Sequence, residues 1–234
     1  MNRTEALKLA KPILFNTEMV RAILDGRKTE TRRLAKNIRK DVHCLGGHFE
    51  HEFIRDDFAG DTYTGFVCRK CGYGVSPTHY SYPVGASFIR PQYEPGDILY
   101  VRETFFECKG RFHYKADGKH LVLNRVIGGK EFFKWQPSIH MPKEAARIFL
   151  RVTDVRVERL QEITPAGTRQ EGIKNAEYNP ECKDKSPWVL DEFELTQFSK
   201  LWNSTIPKKD LSRYGWNANP WVWVYEFERI EVAV

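Results

Sequence analysis

The chain has 234 residues, 41% hydrophobic and 29% charged, with 37 Lys and Arg against 31 Asp and Glu for a formal net charge of +6. That is an ordinary balance for a soluble globular protein, long enough to bury one large or two small cores. No apolar run approaches the roughly 20 residues needed to span a bilayer, the N-terminal MNRTEALKLAKPILF lacks a signal-peptide pattern, and five cysteines argue against a disulfide framework, so the chain is read as cytoplasmic with no membrane partner.

Residues 12–15 read as a short strand leading into a helix over 17–25. Asn16 or Thr17 caps that helix, Glu18 sits in its first turn, and Met19, Val20, Ile23 and Leu24 form one apolar face. Gly26 is the expected left-handed stop. A strand then runs from Lys28 to about Leu34. Alternation puts Thr29, Thr31 and Arg33 on one face and Glu30 and Arg32 on the other. Between Arg27 and Lys40 seven basic residues stand against one acid, Glu30. Such density suits a phosphate-bearing partner, although a solvated surface gives the same pattern.

Residues 36–92 change character, being rich in Gly, His, Cys, Tyr and Pro with weak periodicity. A structureless loop of that length is not expected inside a compact domain. The chain therefore divides into one domain made of 1–35 and 93–234 and an insertion, 36–92, with its own means of holding together. Cys44-x3-His48 and Cys68-x2-Cys71 are separated by 19 residues, and Gly72-Tyr73-Gly74 follows with zinc-knuckle turn chemistry. Cys44, His48, Cys68 and Cys71 are the expected ligands of one structural zinc, which would supply folding energy the insertion lacks. His43 and His51 are alternative ligands, and two buried thiols or a redox pair are the alternative to a metal. Cys108 and Cys182 are isolated and read as ordinary residues.

Pro95-Gly96-Asp97 is a turn, and 98–105 is a strong strand. Glu103 falls near its end, facing either a groove wall or an edge ion pair. Residues 112–115 and 120–123 flank Asp117-Gly118 as a hairpin. His140 precedes a proline-led turn, placed to contact a phosphate or base or to serve the fold alone. The β-rich run 148–160 changes phase at Thr153-Asp154, which predicts a bulge or bend. Thr164-Pro165 starts a helix that runs to about Glu171 and stops at Gly172. Residues 191–202 form an amphipathic helix whose apolar side carries Phe193, Leu195, Phe198, Leu201 and Trp202. A closing strand covers 221–228. Trp202, Trp216, Trp221 and Trp223 read as core packing, with base stacking the alternative. Many short strands with a few helices argue for α+β, with the strands forming a small barrel.

Several of these stretches together resemble the ASCH domain family of the PUA-like superfamily, in the long form often carried by phages. They are Lys11-Pro12-Ile13-Leu14-Phe15, Gly26-Arg27-Lys28-Thr29 with Thr31 and Arg33, Gly96-Asp97-Ile98-Leu99, residues 155–163, Glu171-Gly172-Ile173 and the terminal strand. The likeness covers the chain except 36–92 and parts of 106–140. It implies a small PUA-like β-barrel with flanking short helices, interrupted here by the zinc-knuckle-like insertion. It also implies binding of nucleic acid or a nucleoside, RNA foremost, in a groove beside the barrel. Arg27, Thr29, Arg32, Arg33, Glu103 and His140 are the binding candidates. At three positions the chain resembles the N4-acetylcytidine amidohydrolases of that family, which implies Lys28, Thr31 and Glu171 as catalytic residues. It departs from them in its much greater length and its insertion.

The chemistry sets a condition on that expectation. A threonine hydroxyl is a weak nucleophile unless a neighbour takes its proton. Lys28 does so only as a free amine, and with a pKa near 10.4 roughly one lysine in a few thousand is neutral at pH 7. Bringing that pKa near 7 takes about 4 kcal/mol of differential interaction, which burial and nearby Arg27, Arg32 and Arg33 favour and pairing with Glu171 opposes. Without the resemblance, Glu171 is an exposed helix-terminal acid and Thr31 a plain strand residue. The alternatives to an amidohydrolase are a non-catalytic reader of modified or single-stranded nucleic acid and an accessory protein whose barrel contacts another protein.

Overall fold

The computed structural model describes residues 1–35, 91–118 and 134–233, together with the backbone of three short strands within 36–90. Helix α1 (Arg3–Leu9) opens with a reciprocal cap: the Asn2 side chain accepts from the Glu5 N–H at 2.9 Å, and the Glu5 carboxylate accepts from the Asn2 N–H at 3.2 Å. Strand β1 (Lys11–Leu14) leads to α2 (Thr17–Leu24), whose first turn is capped by the Asn16 side chain accepting from the Met19 N–H at 2.8 Å. Gly26 follows with φ +74°, a conformation that costs glycine little and other residues more. Strand β2 is Glu30–Leu34.

Between residues 36 and 90, β3 (Phe53–Asp56), β4 (Gly65–Cys68) and β5 (Gly74–Val75) pair antiparallel in a sheet of their own. The remaining elements are β6 (Ile98–Arg102), β7 (Phe105–Cys108), β8 (Arg111–Tyr114), β9 (Phe149–Arg159), α3 (Pro165–Gln170), α4 (Pro187–Thr205), α5 (Leu211–Tyr214) and β10 (Trp221–Ile230).

The main sheet has the order β1-β6-β9-β10-β2, with β1 and β6 parallel and the other pairs antiparallel. The molecule is therefore α+β. The small barrel read from the sequence is not closed by main-chain pairing: β1 and β2 form the two margins of an open sheet. A side chain reaches between them instead, with Arg33 Nη2 donating to the Leu14 carbonyl at 2.7 Å.

Partner strands β9 and β10 carry the phase slip expected from the sequence. Glu226 pairs with Asp154 and Phe227 with Val152, so Thr153 is the extra residue of a bulge. Two expectations along 98–123 need correction. The run 98–105 is broken after Arg102, where buried Glu103 turns to a pair with Arg147. The hairpin lies earlier than Asp117-Gly118: β7 and β8 join through Lys109 and Gly110, at φ 50° and 72°. Two consecutive positive φ values match the strand twist. Asp117-Gly118 instead closes a single 3-10 turn, and residues 120–123 lie outside the described residues.

One face of the sheet packs Ile13, Leu99, Val101 and Leu150 with Val20 and Ile23 of α2. A second cluster sets Phe198 and Trp202 of α4 against Leu160, Ile163, Val222 and Val224. Each fully buried side chain of this size is worth about 1.5–3 kcal/mol. The second cluster anchors α4, and with it one wall of the cleft described next.

Candidate functional site

Strand β2 lies at a sheet margin, which fixes what its main chain needs. The Thr29 carbonyl accepts from the Phe227 N–H at 2.9 Å, and the Ala35 N–H donates to Trp221 at 3.1 Å. Alternation then turns the main-chain groups of Glu30 and Arg32 away from β10. A buried edge of this kind must find other partners. Lys28 Nζ donates to the Glu30 carbonyl at 2.7 Å, and the Arg32 N–H donates to Glu171 Oε1 at 2.5 Å.

The same two side chains pair with each other. Lys28 Nζ donates to Glu171 Oε2 at 2.5 Å and to the Glu171 carbonyl at 2.8 Å, across 143 positions of sequence. All three ammonium donors are thus used, and Nζ stands 5.4 Å from the centroid of the Phe15 ring. Lys28 is 2% exposed and Glu171 3%. Burial holds the Lys28 amine below its ordinary range; Glu171 opposes this, and Arg33 and Arg32 reinforce it.

Local sequence explains the meeting. The N–H groups of Arg27 and Lys28 both donate to the Ala22 carbonyl, wrapping the α2 terminus, and the Thr29 N–H donates to Gln170 at 2.9 Å. Glu171 caps the C-terminus of α3, and Gly172 turns the chain at φ +99°. A Cβ on Gly172 would stand 2.8 Å from the Ala22 Cβ and 3.4 Å from the Lys28 Cβ, so glycine permits the two turns to dock. The loop after α3 is tied to α4 by buried Glu194, which accepts from Arg169 Nη1 at 2.8 Å and from the Ala176 N–H at 2.9 Å.

Thr31 is buried beside this pair. It lines a cleft of about 500 Å³ together with Arg33, Gln92 and Glu171 on the polar side and Phe198, Trp202 and Trp223 on the apolar side. Its hydroxyl makes no hydrogen bond within the described residues, and the three donors of Lys28 Nζ go to Glu30 and Glu171 instead. A second lobe of about 440 Å³ shares Met19, Glu171 and Leu201 with the first. Beside the first lobe, burial pushes the Tyr93 phenol up to about 12 and raises Tyr225 as well, so both rings stay neutral donors or acceptors at pH 7. The Tyr225 hydroxyl accepts from the Gln92 N–H at 2.9 Å.

The structure therefore places Thr31 and Glu171 on one wall of the cleft, with Lys28 buried behind them, paired with Glu171 and lining neither lobe, and treats the binding candidates unequally. Arg33 lines the cleft, with its guanidinium 5.3 Å from the Phe15 ring centroid. Arg27 lines the second lobe but is engaged by the Gly172 carbonyl at 2.7 Å and Asp25 at 3.0 Å. Thr29 is exposed, with its main chain between Gln170 and Phe227. Arg32 is committed to protein carboxylates, Glu30 at 3.1 Å and Glu158 at 3.2 Å, and Arg156 bridges Glu30 and Glu158 and reaches Glu226. Glu103 and His140 line neither lobe. Glu103 is buried in a two-pronged pair with Arg147 at 2.8 and 3.0 Å, and His140 is exposed at the end of a 3-10 turn.

Sequence reasoning passed over Gln92, Lys174 and Lys200, each isolated along the chain. Only the position of Lys200 beside the apolar Leu201 of α4 could have flagged it. The zinc expectation lies outside the described residues: Cys44, His48 and Cys71 are not among them, and only the backbone of Cys68, in β4, is. Among the described residues no group of three or more His, Cys, Asp or Glu could hold a metal ion, and no helix is long and apolar enough to cross a membrane. No protein-family model, curated protein or solved structure matches the chain.

Proposed function

We propose that this chain is an ASCH-type protein of the PUA-like superfamily that holds a nucleoside, free or within RNA, in the cleft beside β2 and removes an acyl group from an exocyclic amine of its base, as in N4-acetylcytidine. The observation that supports the reading is the placing of Thr31 and Glu171 on one cleft wall, with Lys28 bonded to Glu171 behind it and the Thr31 hydroxyl without a hydrogen bond among the described residues. In this reading the open sheet, bridged by Arg33 from β2 to β1, is the barrel of the superfamily. The insertion is held by zinc on Cys44, His48, Cys68 and Cys71, and the protein works in the cytoplasm.

The Lys28 amine, once neutral, keeps two N–H donors and gains a lone pair. It gives up one of its three acceptors and turns that lone pair to Thr31. Thr31 Oγ attacks the acyl carbonyl while its proton passes to Lys28. The proton is delivered to the departing exocyclic nitrogen, the C–N bond breaks, and the free base leaves a threonyl ester. Water then attacks the ester with Lys28 again as base, releasing the carboxylic acid and restoring the hydroxyl. The Glu30 and Glu171 carbonyls orient the amine, and Glu171 Oε2 stabilises its charged form between proton transfers.

Incubation with N4-acetylcytidine, followed by chromatography, tests the reading. Cytidine and acetate should appear in equal amounts. Thr31→Ala should abolish turnover without unfolding the protein, and Lys28→Arg should also be inactive because guanidinium stays protonated. Absence of turnover by the wild-type protein on nucleoside and acetylated RNA alike would sink the hydrolase.

A second reading has its own observation. Lys28 already satisfies all three donors and gives none to Thr31, an arrangement complete as structure alone. This favours a reader that binds a modified or single-stranded nucleic acid without turning it over. Salt-dependent binding with no product formed would select it.

A further inference from the structure

The second lobe differs from the first in its charges. Its walls carry Arg27, Lys174 and Lys200, with Glu18 and Glu171 as the acids. Both acids are occupied elsewhere. Glu18 accepts from Arg21 Nη1 at 2.7 Å, and Glu171 is bound to Lys28 and to the Arg32 N–H. Arg27 is fixed by the Gly172 carbonyl and Asp25. Lys174 and Lys200 are exposed and form no ion pair among the described residues. They reach the lobe from different elements, Lys174 from the turn after α3 and Lys200 from α4. Asn179 adds an amide: its Oδ1 accepts from the Glu181 N–H at 3.0 Å, which leaves Nδ2 to donate. The lobe thus presents two uncompensated ammonium groups and an amide donor around a concavity, a donor set suited to a phosphate.

Position connects that chemistry to the first lobe. The two spaces share Met19, Glu171 and Leu201, so a ligand seated against Thr31 has the basic lobe as its neighbour. Resting on the nucleoside reading above, we infer that the second lobe is a phosphate subsite and that the preferred ligand is a phosphorylated nucleoside. The same chemistry would come from the monoester of a free nucleotide or from the diester of a strand.

Calorimetric titration of the full-length protein carrying Thr31→Ala, which leaves the probes intact, separates these cases. The probes are N4-acetylcytidine, its 5′-monophosphate, its 3′-monophosphate and a short single-stranded RNA containing the same base. A phosphorylated probe should bind at least about tenfold more tightly than the nucleoside, the worth of one charge-assisted hydrogen bond. The advantage should shrink as salt is raised. The Lys174→Gln/Lys200→Gln double variant should abolish it and leave nucleoside affinity unchanged. A gain with a monophosphate identifies a free nucleotide as ligand, and a gain confined to RNA identifies a strand; both support the subsite. If the nucleoside binds and phosphate adds less than about twofold, or if the gain survives in the double variant, the subsite is refuted while the nucleoside reading stands. If no probe binds, the nucleoside reading fails and the subsite with it.

Discussion

Replacing Glu171 by Gln keeps the shape of the side chain and removes its charge. Both carboxylate oxygens are acceptors in the buried pair, Oε2 for Lys28 Nζ and Oε1 for the Arg32 N–H, each at 2.5 Å. Glutamine offers one acceptor and one NH2 in the same space, so in either orientation one donor meets a donor. Breaking a buried ion pair from one side costs about 3–5 kcal/mol. For a chain of this size that is roughly 6–20 °C in Tm at pH 7. Lys28 limits the damage, because burial already holds its pKa below the ordinary 10.5 and Glu171 is the largest influence opposing that. In the variant the folded state then binds fewer protons than the unfolded state, over a window that ends near the ordinary lysine value. Stability therefore rises with pH through that window. Thermal and urea unfolding of the wild type, Glu171→Gln, Lys28→Met and the double variant, at about pH 7 and pH 9.5, reads each quantity. The double variant should be more stable than the summed singles imply by about 2 kcal/mol, since neither charge is left alone. A Glu171→Gln variant within about 0.5 kcal/mol of wild type at pH 7, or strict additivity in the cycle, would refute the reasoning.

Gly172→Ala should cost about 1–3 kcal/mol, because the new Cβ would lie 2.8 Å from the Ala22 Cβ at a φ of +99°; the shift of the urea midpoint measures it, and an unchanged midpoint contradicts it. If Lys28 is the base, turnover of saturating N4-acetylcytidine should rise with pH to a plateau, with a midpoint below the ordinary lysine value of 10.5. A rate flat from mildly acidic to strongly alkaline pH removes Lys28 from that role. Elemental analysis of protein purified without added metal should find one zinc per chain, and no zinc would end the knuckle reading of Cys44, His48, Cys68 and Cys71.

Legibility in the sequence followed how local each determinant was. The α2 cap at Asn16, the stops at Gly26 and Gly172 and the bulge at Thr153 are set within a few residues of each other and were readable. Helix α4 begins at Pro187, ahead of the expected 191, because its first turn puts Pro187 and exposed Trp188 where no apolar period is visible. The misplaced hairpin has a similar cause: Lys109-Gly110 is a weaker turn signal than Asp117-Gly118, yet it takes the two positive φ values. At the site, alternation gave the two faces of β2. It could not show that Arg32 spends its charge on Glu30 and Glu158, since Glu158 lies 126 positions away. Nor could it show which cations stay uncompensated, because Lys174 and Lys200 gain meaning only where α3 and α4 meet.

The edge position of β2 explains why one lysine–glutamate pair carries two demands. Outward-facing groups of Glu30 and Arg32 have no strand to pair with among the described residues, and Lys28 supplies the missing donor and Glu171 the missing acceptor. That task binds them whatever the protein does, and it holds both side chains rigid to within hydrogen-bond tolerance. Rigidity of this kind is what a reacting group requires beside a nucleophile. The structural task also sets the obstacle to catalysis, since it stabilises the ammonium form that cannot accept a proton. Burial works against it, and the balance falls toward a lowered Lys28 pKa. The neutral amine would surrender one acceptor to gain its lone pair. Of the three, Glu171 Oε2 is the partner whose attraction weakens most when the charge leaves, whereas the Glu30 and Glu171 carbonyls still need a donor. The edge cap can therefore survive proton loss from Lys28, and Thr31 stands in β2 between the two capped residues.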